Sequence, residues 1–216
     1  MKIGILGTGT VGTTLGSKLI QLGHEVKLGS RSAGNEKAAG WVRTAGSQAS
    51  QGTFADAAAF GELILNCTSG GASLEALRMA EAGNLRGKVL VDVANPLDFS
   101  QGQPPTLLVS NTDSLGEQIQ AAFPEVKVVK ALNTMWSGIM VNPRMLPDTH
   151  HTFLSGNDPT AKASVKQLLR SFGWQEGEIV DLGDITTARG TEMILPLWIR
   201  IWGVTQNGAF NFKIVS

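Results

Sequence analysis

The stretch Lys2-Ile3-Gly4-Ile5-Leu6-Gly7-Thr8-Gly9-Thr10-Val11-Gly12 leads into an amphipathic run to about Leu22. A short apolar strand, a glycine-rich turn and a helix start in this order form a dinucleotide-binding βα unit. Gly7 permits the tight turn out of the strand, and Gly9 lets the backbone come close to a pyrophosphate. Gly12 allows the helix to lie against the strand. The unpaired N–H groups and positive dipole end of that helix then face the anion. Gly7, Thr8, Gly9, Thr10, Val11 and Gly12 are the expected pyrophosphate cradle.

The second strand, His24-Glu25-Val26-Lys27-Leu28, ends in Gly29-Ser30-Arg31-Ser32. A site that prefers NAD usually carries Asp or Glu here, roughly 20 residues past the glycines, to accept from the ribose hydroxyls. This chain has a hydroxyl and a guanidinium instead. Ser30 and Arg31 suit the 2′-phosphate of NADP(H), with Lys37 as a further positive charge.

Strands and helices alternate onward from this unit. Asn35 to Ala45 reads as a helix, Ala49 to Thr53 as a strand, Phe54 to Phe60 as a helix and Glu62 to Asn66 as a buried strand. The loop Cys67-Thr68-Ser69-Gly70-Gly71 precedes a helix from Ser73 to Ala82. Lys88 to Val93 and Val126 to Lys130 are further strands, with a helix from Ser114 to Phe123 between them. The pattern predicts an α/β fold, a Rossmann-type doubly wound parallel sheet over residues 1–140. Residues 141–216 are expected to form a small C-terminal α+β domain packed at the carboxyl edge of that sheet. It would hold a strand at Thr152 to Ser155, a helix from Asp158 to Phe172, a strand at Glu178 to Val180 and a last helix from Thr187 to Val204.

Three loops at strand ends are small, polar and suited to lining a ligand. Cys67, Thr68 and Ser69 would sit near pyrophosphate and ribose. Asn95 and Pro96, with Ala131, Asn133 and Thr134, would sit deeper, where the asparagines either hydrogen-bond a carboxamide or hold neighbouring loops. Cys67 has no basic neighbour in sequence and reads as a packing residue rather than a nucleophile. His150 and His151 precede a strand of the second domain and are the candidate proton donors to a substrate.

The 216 residues carry 18 basic and 18 acidic side chains, which argues against nucleic acid or an anionic membrane as the main partner. The single cysteine excludes an intrachain disulfide and fits a reducing, cytoplasmic setting. No HxxxH or CxxC spacing suggests a metal. Nor does a signal-type segment precede the first strand. The most apolar segment, Met193 to Val204, contains Pro196 and Arg200 and is shorter than the ~20 residues a membrane span needs. It reads as a buried helix or a dimer face, or as a flat wall for a planar aromatic substrate.

Gly7 to Gly12, Gly23-His24-Glu25-Val26, Gly29-Ser30-Arg31, Val91-Asp92-Val93-Ala94-Asn95-Pro96-Leu97 and Lys130-Ala131-Leu132-Asn133-Thr134 together resemble the NADPH-dependent oxidoreductases that use the deazaflavin coenzyme F420. The reductase domain of the membrane metalloreductases is similar over the first part, and pyrroline-5-carboxylate reductases share the N-terminal nucleotide fold. The resemblance implies that Thr8 to Gly12 contact the pyrophosphate and that Ser30 and Arg31 contact the 2′-phosphate. It places Asn95, Pro96, Asn133 and Thr134 around the nicotinamide. It implies hydride exchange between the nicotinamide and a planar ring, which needs proximity more than a strong acid or base. Trp136, Met140 and the Pro196-Trp198-Trp202 segment depart from the family with a bulkier apolar wall, which would suit a flavin or a quinone-like ring. The expectation is a homodimeric NADP(H)-dependent oxidoreductase acting on a small planar redox partner such as coenzyme F420 or a flavin. The alternatives are reduction of an imine, carbonyl, quinone or ferric chelate, or NADPH binding without catalysis.

Overall fold

Ile3 and Ile5 turn to one face of the first strand while Leu6 turns to the other, and hydrophobic cores cover both faces. The same alternation recurs at Leu63 and Leu65 against Ile64, and at Val91 and Val93 against Leu90. Strands buried on both faces are the mark of a parallel sheet sandwiched by helices.

A computed structural model describes residues 1–215. Its elements run β1 (Lys2–Leu6), α1 (Thr10–Gln21), β2 (Glu25–Ser30), α2 (Glu36–Ala45), β3 (Ala49–Thr53), α3 (Phe54–Phe60), β4 (Leu63–Asn66), α4 (Gly70–Met79), α5 (Ala82–Leu85) and β5 (Val89–Asp92). They continue as β6 (Leu97–Asp98), β7 (Thr106–Leu107), α6 (Leu115–Ala122), β8 (Lys127–Ala131), α7 (Ser137–Val141), β9 (Thr152–Gly156), α8 (Pro159–Ser171), β10 (Ile179–Asp181), α9 (Ala188–Met193) and α10 (Leu195–Thr205). Eight strands form one sheet in the order β10-β9-β8-β5-β4-β1-β2-β3. All pairs from β3 to β8 are parallel, and β9 runs antiparallel to β8. The chain leaves β1 toward β2 and β3, then returns to the other side of β1 at β4. That reversal opens a crevice beyond the carboxyl ends of β1 and β4, where open α/β sheets bind ligands.

Helix starts follow local chemistry. Asn35 caps α2, Thr53 and Asp56 form a capping box on α3, Ser114 caps α6, and Asp158 with Pro159 opens α8. The N-caps of α1 and α4, Gly9 and Ser69, make no side-chain capping bond, and neither first turn contains an acid.

Of the segment expected as a separate small domain, residues 141–215 do not fold apart from the sheet. β9 and β10 extend the same sheet, and one core runs from Ile3 through Val129 and Leu154 to Ile179. The reason lies in β8, whose outer edge would otherwise leave a row of unpaired backbone groups. Three segments also differ from the sequence reading. α4 starts at Gly70 rather than Ser73, the loop after Met135 holds the short helix α7, and the last helix is split at Ile194 ahead of Pro196. The proline cannot donate the hydrogen bond a continuous helix would need there. Nor is α10 a buried helix: among its residues only Leu195 is buried, and Leu197, Trp202 and Val204 are exposed.

Candidate functional site

The turn after β1 is built by steric necessity. Gly7 has φ +120°, and a Cβ there would lie 2.5 Å from the carbonyl oxygen of Cys67. A Cβ on Gly12 would lie 2.5 Å from the carbonyl oxygen of Gly7, so the first turn of α1 packs onto the backbone that precedes it. At Gly9 a Cβ would meet nothing within 4 Å. The turn therefore bares backbone toward a cavity of about 430 Å3 lined by Gly7, Thr8, Gly9, Ser30, Arg31, Cys67, Thr68 and Ser69. The uncapped starts of α1 and α4 both meet this cavity, which suits an anion.

Arg31 is exposed at the mouth of that cavity and forms no ion pair among the described residues. The Ser30 hydroxyl donates to the carbonyl of Ser32 at 2.5 Å and accepts from the Ser32 N–H, which shapes the turn that carries Arg31. Lys37 lies in the first turn of α2, exposed and outside the cavity lining. Burial, reinforced by the Asp92 carboxylate, pushes the Cys67 thiol well above its ordinary range, which disfavours the thiolate that nucleophilic chemistry needs.

The loops after β5 and β8 are tied to each other. Asn95 Nδ2 donates to the Asn133 carbonyl at 2.8 Å, and Asn133 Nδ2 donates to Asn95 Oδ1 at 2.9 Å and to the Thr191 carbonyl at 3.1 Å. The asparagines thus hold neighbouring loops. Ala131 is wholly buried, its side chain packed in the apolar core. Leu132 sits at φ +63°, a left-handed conformation that costs a bulky residue of order 1–3 kcal/mol and is kept where surrounding structure over-determines it. Two residues on, the buried hydroxyl of Thr134 has no hydrogen-bond partner among the described residues.

A charged cluster explains what over-determines that turn. Lys130 Nζ lies 2.7 Å from Asp92 Oδ2, 2.7 Å from Glu192 Oε1 and 2.6 Å from the Ala94 carbonyl. Asp92 and Lys130 are directly paired in the β5–β8 register. Glu192 also accepts from the N–H groups of Leu115 and Gly116 at 2.8 and 3.0 Å. Asp92 Oδ1 accepts from Asn66, whose own Oδ1 accepts from Thr68. The chain of bonds runs from Thr68, in the loop after β4, to the Ala94 carbonyl and Glu192, which adjoin in sequence Asn95 and the Thr191 carbonyl that Asn133 holds. Burial disfavours the ammonium of Lys130, but Asp92 and Glu192 outweigh it and hold its pKa above the ordinary value. Burial holds Glu192 above its ordinary value against the pull of Lys130. The sequence reading passed over these three residues. For two of them the available signal was a charge at a buried position of an otherwise apolar strand, Asp92 at the end of β5 and Lys130 after Val128-Val129 in β8, which buried parallel strands carry only when paired.

His150 and His151 are not in the cleft. His150 is buried, with Nε2 3.0 Å from the Pro143 carbonyl, Nδ1 2.7 Å from Asn211 Nδ2, and its ring edge-on to Trp174. His151 pairs with the backbone of Phe212 and Ile214. Both fasten the C-terminal segment, because β9 runs antiparallel and its start lies beside the returning tail. Neither lines the Arg31 cavity or the larger one described next.

That second cavity, about 650 Å3, is walled by Leu97, Phe99, Trp136, Trp198, Ile199 and Trp202. Among the described residues no group of His, Cys, Asp and Glu is placed to hold a metal, and no helix is long and apolar enough to cross a membrane.

Sheet order, glycine turn and basic β2 end define an α/β nucleotide-binding protein of the Rossmann type. Residues 2–96 match the family described as NADP oxidoreductase, coenzyme F420-dependent. A crystal structure from Arthrobacter sp. FB24, provisionally named an F420-dependent NADP-reductase, is 53% identical, covers 100% of both chains and has a TM-score of 0.94. The chain belongs to this family of NADP-dependent oxidoreductases. Metalloreductase STEAP3 of Rattus norvegicus is 30% identical over 205 residues, and the alignment covers 91% of this chain but 38% of that protein. An imine reductase from Myxococcus stipitatus in complex with NADP+ shares the fold, at 17% identity, TM-score 0.68, and coverage of 95% of this chain and 62% of that one.

Proposed function

We propose that this oxidoreductase binds NADP(H) across the carboxyl ends of β1, β4, β5 and β8 and exchanges a hydride with a planar, flavin-like partner such as coenzyme F420. The pyrophosphate lies over Gly7 to Gly12 and the loop Cys67-Thr68-Ser69. The 2′-phosphate meets Arg31, with Ser30 shaping its turn. The nicotinamide end lies against Pro96, Asn133 and Thr134, where the unpartnered hydroxyl of Thr134 is available to a carboxamide. When bound, the nicotinamide supplies or takes the hydride. The protein residues bind, orient and exclude water.

The observation that carries this reading is an unpaired guanidinium where an NAD site would hold a carboxylate. Arg31→Ala is expected to raise the Kd for NADPH about tenfold or more, since a charge-assisted phosphate contact contributes ~1.5–3 kcal/mol. The Kd for NADH is expected to stay the same. Equal weakening of both cofactors, read by quenching of protein fluorescence, would sink the assignment.

The family name favours F420 as partner, and so does the name of the Arthrobacter structure. Imine or carbonyl reduction with a histidine proton donor is disfavoured, because His150 and His151 are spent on the tail. The proposal includes a cytoplasmic homodimer in which residues 141–216 supply the partner side of the site.

A further inference from the structure

Lys130, Asp92 and Glu192 stand directly behind the loops proposed to hold the nicotinamide. Lys130 Nζ donates to the Ala94 carbonyl at 2.6 Å, in the peptide group that joins Ala94 to Asn95. Asn133 Nδ2 donates to the Thr191 carbonyl at 3.1 Å, in the peptide group that joins Thr191 to Glu192. Each loop thus meets the cluster through one peptide group. The Thr134 residue is 1% exposed and its hydroxyl has no hydrogen-bond partner among the described residues. That orphaned group is an independent sign that a polar group is received at this end of the loops.

Hydrogen bonding fixes the charge of the cluster. Asp92 Oδ2 meets Lys130 at 2.7 Å, while Oδ1 accepts from Asn66 Nδ2 at 2.9 Å and from the Ala94 N–H at 3.2 Å. Glu192 Oε1 meets Lys130 at 2.7 Å and the Gly116 N–H at 3.0 Å, while Oε2 accepts from the Leu115 N–H at 2.8 Å. All four oxygens face donors, the arrangement of two ionised carboxylates around one ammonium. The sum is one negative charge. Arg189, on the same helix as Glu192, is paired with Glu117 and adds nothing to it. The N–H groups that open α6 offset part of the charge, as helix N-termini do. Solvent offsets little, because the three side chains are 2% exposed or less.

We infer that this buried negative charge favours the oxidised, cationic nicotinamide over the reduced, neutral ring, so that Asp92, Lys130 and Glu192 set the relative affinity for NADP+ and NADPH. The inference rests on the proposed placement of the nicotinamide at Asn133 and Thr134. The three residues act on the ring through space. Pyrophosphate and 2′-phosphate are common to the two nucleotides, so the contacts of the glycine turn and of Arg31 cancel in the ratio of the two Kd values. The charge on the ring does not cancel. One unit charge acting on another across roughly 10 Å, at an effective dielectric of about 20, alters binding roughly ten- to twentyfold. The partial offset by α6 lowers that, which leaves an effect of about fivefold or more.

Glu192→Gln keeps the shape of the side chain and brings the cluster to zero charge. The ratio of the NADP+ Kd to the NADPH Kd, measured by titration calorimetry at pH 8, is expected to rise about fivefold or more over the wild type. Asp92→Asn removes the same charge from the other side of Lys130. It is expected to raise the ratio likewise, and it carries the test if Glu192→Gln does not fold. The Lys130→Met, Glu192→Gln double variant again holds one negative charge and is expected to return the ratio to within twofold of the wild type. A role confined to holding the loops would weaken both nucleotides together, and a second damaging substitution would not reverse it. Ratios within twofold of the wild type in both single variants overturn the inference. So does a double variant that stays as shifted as Glu192→Gln. A wild-type protein that binds neither nucleotide overturns the cofactor reading and the inference together, whereas tight binding with an unmoved ratio overturns the inference alone.

Discussion

Replacing Lys130 with methionine keeps its bulk and removes the single positive charge between two buried carboxylates. Lys130, Asp92 and Glu192 have side chains 2% exposed or less, so solvent cannot take over the ammonium's role. The cluster then holds two uncompensated negative charges in place of a net one. Leaving both ionised costs about 3–5 kcal/mol, the scale for breaking a buried pair from one side. A proton on Glu192 relieves it, since burial already holds that carboxyl above its ordinary value of 4.5. Keeping such a group protonated at pH 7, while the unfolded chain ionises it, costs about 3 kcal/mol. At pH 5.5 the same proton costs about 1 kcal/mol. The sign follows: the folded variant binds a proton the unfolded chain lacks, so its deficit shrinks as pH falls toward 4.5. Urea denaturation of both proteins at the two pH values measures this. The Lys130→Met, Glu192→Gln double variant restores the net single charge and is expected to lose the pH dependence. A deficit under about 1 kcal/mol at pH 7, or one equal at both pH values, would refute the reasoning.

Three smaller predictions follow from the same geometry. Gly7→Ala meets the Cys67 carbonyl in a backbone conformation alanine disfavours, and is expected to lower Tm by roughly 2–12 °C while weakening NADPH. An unchanged Tm with intact NADPH binding counts against the tight-turn argument. Glu117 is held below its ordinary value of 4.5 by the Arg189 guanidinium, aided by Ser114, so it contributes stability above pH 4.5 that is lost as pH falls through its folded value. Glu117→Gln is expected to flatten the acid limb of the stability profile, and an unaltered limb would disprove the role. The Arg31→Ala comparison of NADPH with NADH described above is the most direct check of cofactor choice.

Local chemistry determined much of this protein from sequence alone. A strand, a glycine turn and a helix start within residues 2–22 specify a nucleotide cradle, because each glycine answers a short-range steric demand. The absence of a carboxylate at Ser30-Arg31 carries the proposed preference for a 2′-phosphate, and the alternation of apolar strands with helices specifies a parallel sheet. These readings need only neighbours in the chain. Tertiary structure decided the rest. The edge pairing that draws β9 and β10 into the main sheet depends on which backbone groups β8 leaves open. The antiparallel direction of β9 carries His150 and His151 to the tail rather than the cleft. Most of all, Asp92, Lys130 and Glu192 stand 38 and 62 residues apart along the chain. Each looks like an isolated charge until strand register and α9 bring them within 3 Å, where burial makes their pairing compulsory.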